Sequence, residues 1–102
     1  MEPVVAQHLE PGTFVLSLRG RDAGNIFVVV ETDTSLPGFC GIADGKIHRL
    51  ESVKWKNGKH LLQLRVEPYS QLHNGSMTNR NLRQAIAGIL DACINDIERI
   101  GV

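Results

Sequence analysis

No apolar stretch of this chain approaches the roughly 20 residues that a bilayer-crossing helix needs, so the sequence offers no membrane span. Cysteine is scarce. Cys40 and Cys93 are the only two, far apart and in different expected elements, which points to reduced, buried thiols rather than a disulfide. Net charge is also missing: 11 Lys and Arg balance 11 Asp and Glu, which argues against a uniformly cationic coat for nucleic acid. There is no glycine-rich phosphate loop of the Walker type and no GxSxG, and His8, His48, His60 and His73 are not spaced with either cysteine as metal ligands. A Cys–His pair assembled only in space is the remaining route to catalysis. Cys40 in an interior strand and Cys93 on an apolar helix stripe both favour inert burial over a reactive thiolate. The expectation is a protein that is not an enzyme and needs neither metal nor cofactor. Met1-Glu2-Pro3-Val4 lacks the basic start and apolar middle of a signal peptide, and a cytoplasmic location is the expectation.

A chain of 102 residues is one domain. At that size about 65% of the unfolded surface is buried, so one modest core forms without disulfides. The charge is segregated along it. Residues 44–65 carry Lys46, Arg49, Lys54, Lys56, Lys59 and Arg65 against Asp44 and Glu51, with His48 and His60 in the same window. The ends are neutral or acidic. A basic middle is the pattern of an electrostatic footprint, although a lysine-bearing edge strand that discourages aggregation explains it as well.

Period-two alternation marks Thr13–Leu18, where Phe14, Leu16 and Leu18 form one face. Ile26–Val30 is a continuous run rich in β-branched residues, hence a strand buried on both faces. Phe39–Ala43 and Lys46–Leu50 flank Asp44-Gly45, a dipeptide suited to a type I′ hairpin turn, with a bulge expected at Arg49-Leu50 where the alternation falters. Val53–Lys56 leads to a turn at Asn57-Gly58, and Leu62, Leu64 and Val66 give the apolar face of a last strand ended by Pro68. From Thr78 the period changes. Leu82, Ala85, Ile86, Ile89, Leu90, Cys93, Ile94 and Ile97 recur at three- and four-residue steps and predict an amphipathic helix over residues 79–99. Thr78 or Asn79 is positioned to cap it and Gly101 to end it. The reading is mostly β: about five short strands in a small barrel over residues 10–68, a connector over 69–77, and a C-terminal helix over 78–100 packed on the barrel.

The segment Gly20-Arg21-Asp22-Ala23-Gly24 joins the first two strands through a turn with a glycine at each end, which lets backbone approach a partner closely. From Pro11 to Val30 the chain reads PGTFVLSLRGRDAGNIFVVV, which resembles a KOW motif. Ile42-Ala43-Asp44-Gly45-Lys46, the following HRLESVKWKNGKHL, and Met77-Thr78-Asn79 before a short helix are similar, in the same order, to a small family of bacterial KOW-domain RNA-binding proteins. Those are related to a group of archaeal and eukaryotic large-subunit ribosomal proteins. The resemblance covers most of residues 10–95. It implies an SH3-like barrel, RNA as the partner, ribosomal RNA first of all, and a role in translation at the ribosome.

Arg19 and Arg21 flank the glycine-framed turn, where guanidinium groups can meet phosphate oxygens bidentately. Gly24 matches the family's fixed glycine and is expected to need a positive φ. Asp22 is expected to order the turn through its own backbone. Lys46, Arg49, Lys54, Lys56 and Lys59 extend the cationic face, and Trp55 is the one aromatic placed to stack on an unpaired base, against the plainer reading of an edge-packing residue. A second reading comes from a different class. Transcription elongation factors of the NusG type carry similar KOW barrels that engage proteins, so the barrel and helix could instead serve as an interaction module of the transcription or translation machinery.

Overall fold

The computed structural model of the protein describes residues 9–32, 35, 37–67 and 77–99, the last seven of these by their backbone alone. Five antiparallel strands form one sheet: β1 (Phe14–Ser17), β2 (Ile26–Thr32), β3 (Phe39–Ala43), β4 (Lys54–Asn57) and β5 (Leu61–Gln63), in the order β4-β3-β2-β1-β5. The helix α1 (Asn79–Arg99) follows. No helix among the described residues is long and apolar enough to cross a membrane.

The sheet curls because its connectivity demands it. β4 and β5 are its two opposite edges, yet a single 3₁₀ turn, Gly58–His60, joins them. Four strand spacings would hold the edges of a flat sheet about 19 Å apart, whereas a three-residue 3₁₀ turn advances only about 6 Å. Asn57 starts that turn by accepting from Lys59 N at 3.0 Å. The turn is then tied to both flanks, by Gly58 N donating to Gly38 O at 2.7 Å and Leu18 N donating to His60 O at 2.9 Å. β4 and β5 do not pair with each other, so strand pairing leaves the rim open.

Curling gives the sheet an inner and an outer core. Val15, Phe27, Val29, Cys40, Ile42 and Leu61 meet inside, drawn from strands that are not all neighbours. Phe14, Ile26, Val28 and Ala43 face outward and are covered by Leu82 of α1, with Leu16, Leu50, Val53, Ala85, Ile86 and Ile89 packed around them. Ile26–Val29 is therefore buried on both faces, as the unbroken apolar run predicts. Each large apolar side chain so buried contributes about 1.5–3 kcal/mol. β1 is buried on both faces too, contrary to the half-buried strand expected from its alternation: Val15 and Ser17 are as inaccessible as Phe14, and it is Leu18, just past the strand, that is half exposed.

Three further expectations are corrected. Residues 46–50 form no strand. Asp44 Oδ1 accepts from Lys46 N and His48 N, each at 2.9 Å, and His48 O accepts from the amides of Asp44 and Gly45, so the carboxylate closes a compact loop in place of a hairpin. The bulge lies between Val29 and Glu31 in β2, not at Arg49-Leu50. In β5 Leu61 faces the inner core, set inward by its pairing with Ser17, and Leu62 is exposed; past the strand Leu64 packs on the outer core as expected, whereas Val66 is exposed.

The helix start follows its sequence signal. Thr78 Oγ1 accepts from Asn81 N at 3.0 Å, a conventional N-cap. Asn79 fastens the first turn to the body: its Oδ1 accepts from Leu50 N at 2.9 Å and its Nδ2 donates to Glu51 Oε1 at 3.0 Å. Leu82, Ala85, Ile86 and Ile89 pack on the sheet, while Leu90 is 46% exposed. The side chains of Cys93, Ile94 and Ile97, the cap expected at Gly101, the connector at 69–76, Pro68, and His8 and His73 lie outside the described residues.

Candidate functional site

The turn between β1 and β2 is held by its own backbone. Gly24 N donates to Ser17 O at 2.8 Å, Ser17 N to Asn25 O at 3.0 Å, and Asn25 N to Asp22 O at 3.1 Å. Gly24 has φ +88°, in the region that glycine enters without strain, and no atom crowds the place of its missing side chain. Its role is conformational.

Asp22 does more than order its own loop. The side chain is buried, and Oδ1 accepts from Ser17 Oγ at 2.9 Å and from Lys56 Nζ at 2.6 Å, while Lys54 Nζ lies 3.1 Å from Oδ2. Lys56 Nζ donates as well to the carbonyl of Arg19. The register explains the meeting. Ile42 pairs with Lys54 and Cys40 with Lys56, so both lysines point to the inner face, where the curl brings edge strand β4 up to the β1–β2 turn. Burial alone would raise the Asp22 pKa. Hydrogen bonds from Lys56, Ser17 and Lys54, with the charge of Lys56, override it and hold the carboxyl well below the usual carboxylate range.

This arrangement divides the sequence-predicted residues. Lys56 is only 9% exposed and its ammonium is held by Asp22 and the Arg19 carbonyl, so it is an internal structural cation. Lys54 is partly exposed and shares Asp22. Arg49 is exposed beside Glu51 at 3.9 Å, a pair of little energetic weight. Trp55 sits on the outer face opposite Gly41, over whose bare backbone its indole lies, next to Val53 and Glu31. It is on the other side of the sheet from its two lysine neighbours. Arg19, Arg21, Lys46 and Lys59 are exposed, and among the described residues none of them has a carboxylate partner.

Two of these cations act on the charge of His60. Its pKa lies below the usual imidazole value, first because it loses solvent and then because Lys59, Arg19 and Lys56 place positive charge around it. On the other flank of the turn, Gly24 shares a groove with Lys46 and with Arg83 of α1. Arg83 was not among the residues singled out from sequence. Its Nη1 donates to Gly45 O at 2.7 Å, which fixes a guanidinium beside Lys46. The signal was present, since Arg83 stands one helical turn after the docking residue Asn79. The Arg19–Gly24 turn thus has the 3₁₀ turn that carries Lys59 on one flank, tied to Leu18 through His60 O, and a cationic rim at Lys46 and Arg83 on the other.

Cys40 lies in the inner core, and burial pushes its thiol pKa up, away from thiolate chemistry. Comparison with known proteins adds no relative: no family model matches the chain, and no curated protein matches it.

Proposed function

We propose that this protein is an RNA-binding module of the KOW class with an SH3-like barrel, which docks on structured RNA, ribosomal RNA foremost, through the β1–β2 turn and its flanks. The observation that carries the reading is the sorting of charge around that turn. Lys54 and Lys56 share the single carboxylate of Asp22, whereas Arg19, Arg21, Lys46 and Lys59 are exposed and, among the described residues, have no carboxylate partner. Unpaired cations around a tight bend suit a polyanion, because displacing condensed counterions from phosphates supplies most of the affinity. The curled five-stranded sheet, with its two edges joined by one 3₁₀ turn, supports the barrel part of the reading. The KOW-like segment 11–30 supplies the turn itself.

Salt dependence of binding to a structured RNA tests it. Four contacted phosphates give a log–log slope of about −3 to −4, hence a loss of about 10³–10⁴ in affinity over a tenfold rise in salt. Arg19→Glu, Arg21→Glu, Lys46→Glu and Lys59→Glu together remove RNA binding with the thermal midpoint retained, while Lys56 is left in place. A flat salt response, or a quadruple variant that binds as well as the native chain, would move the reading to the protein-interaction module.

A further inference from the structure

Between α1 and the start of β2 lies a groove of about 360 Å³, within the size range of small-molecule sites, about 300–1,000 Å³. Its floor is aliphatic, from Ile26, Ile86 and Leu90, and Leu90 remains 46% exposed. Its rim is cationic. Arg83 is anchored through one N–H to Gly45 O, and among the described residues its remaining donors have no partner. The ammonium of Lys46 has none either. Asp44 also lines the groove; its Oδ1 holds the amides of Lys46 and His48, and its one negative charge against the two cations leaves the rim with a positive balance.

The polar groups of the wall narrow the choice of ligand. The amides of Gly24 and Asn25 are both bonded within the turn, and Asn25 O is taken by Ser17 N. An extended peptide that needs main-chain partners finds both of these amides and the Asn25 carbonyl already taken. The Asn25 side-chain amide is exposed and has no partner among the described residues. An apolar floor, one amide and two cations match a flat heterocycle carrying a phosphate. The groove is also continuous with the turn proposed to meet RNA, since Gly24 belongs to both.

We propose that this groove receives one unpaired nucleotide of the bound RNA, with its base on the Ile26–Ile86–Leu90 floor and its phosphate between Lys46 and Arg83; the proposal rests on the RNA reading above. The protein then recognises a bulge or loop in structured RNA, because only an unstacked base can be splayed into a side pocket. Arg19, Arg21 and Lys59 hold the flanking backbone, and the groove supplies the preference among RNAs of equal charge.

The test uses the full chain and two RNA hairpins of equal stem length, one fully paired and one carrying a single 2-aminopurine bulge. The bulged hairpin is expected to bind about tenfold tighter, with a change in 2-aminopurine emission on binding. Ala87 is exposed on the helix and lines the groove. Ala87→Trp fills the groove, and Ala87→Glu places an anion in it. Either variant is expected to abolish the tenfold preference while leaving affinity for the paired hairpin and its salt slope within twofold. Equal affinity of the native chain for both hairpins overturns the nucleotide site and leaves the RNA reading standing, as does a preference that survives both variants. Loss of binding to both hairpins at low salt overturns the RNA reading itself. A native dimer in sedimentation that Ala87→Trp dissociates assigns the groove to a second copy of the chain and overturns the nucleotide site.

Discussion

Lys56 Nζ in β4 donates to Asp22 Oδ1 in the β1–β2 turn across 2.6 Å, joining an edge strand to a turn three strands away in the sheet order. Neither partner reaches water to any extent, so the pair is a fixed element of the curl. Removing one partner leaves a buried charge, which costs about 3–5 kcal/mol, whereas replacing both by apolar groups is close to neutral. Asp22→Ala is therefore expected to lower unfolding free energy by about that amount in urea titration with an unchanged m-value. Asp22→Ala with Lys56→Met is expected to recover most of it. Lys54→Ala, at a partly exposed position, is expected to cost under about 1 kcal/mol.

The same carboxylate sets an acid limit. Asp22 titrates lower in the folded protein than in the unfolded chain, so the folded state binds fewer protons. Its stabilisation is complete above the unfolded value of about 3.9 and is lost as pH falls from there toward the folded pKa. Stability measured by urea midpoint from pH 6 to pH 2 is expected to fall below pH 4 in the native chain. The Asp22→Asn variant is expected to lack that part of the fall and to start from a lower plateau.

These ion pairs show where sequence reasoning stops. Ile26–Val30, the positive φ at Gly24 and the Thr78 cap were legible because each depends on residues adjacent in the chain. Which lysines are free was not. Lys54, Lys56 and Lys59 look alike in a charge count, and only the register of β4 against β3 turns the first two inward to Asp22. The Asp44-Gly45 dipeptide failed for a related reason. Its carboxylate had two downstream amides within reach, and its glycine was needed by a helix 34 residues later. Leu61 and Leu62 are equally apolar, so the phase of β5 had to come from its pairing with β1.

Gly45 and Asn79 provide a test of helix docking. A methyl group on Gly45 would lie 2.5 Å from Asn79 O, and the residue has φ +79°. The left-handed conformation alone costs a residue with a side chain about 1–2 kcal/mol, and the clash adds to it. Gly45→Ala is expected to destabilise by at least about 2 kcal/mol and to speed amide exchange in the first turns of α1. Asn79→Ala, which leaves Leu50 N without its acceptor, is expected to cost about 1–2 kcal/mol with the same exchange signature.

His60 reports directly on the charge around the turn. In the free protein, loss of solvent and the positive field of Lys59, Arg19 and Lys56 disfavour its protonated form. A phosphate docked on Arg19 and Lys59 reverses the sign of that field, so the His60 pKa is expected to rise on RNA binding. By linkage the complex binds more protons than the free protein, and affinity is expected to increase as pH falls through that interval, below the usual imidazole value of about 6.5. A rise of about 1 in the pKa corresponds to about tenfold tighter binding at the acid end. The imidazole resonances of His60, followed by NMR with and without RNA, measure the pKa change, and His60→Gln is expected to flatten the matching part of the affinity profile. An unmoved His60 pKa in a complex that otherwise forms would place the phosphates away from the Arg19–Lys59 corner, on the Lys46–Arg83 side of the turn.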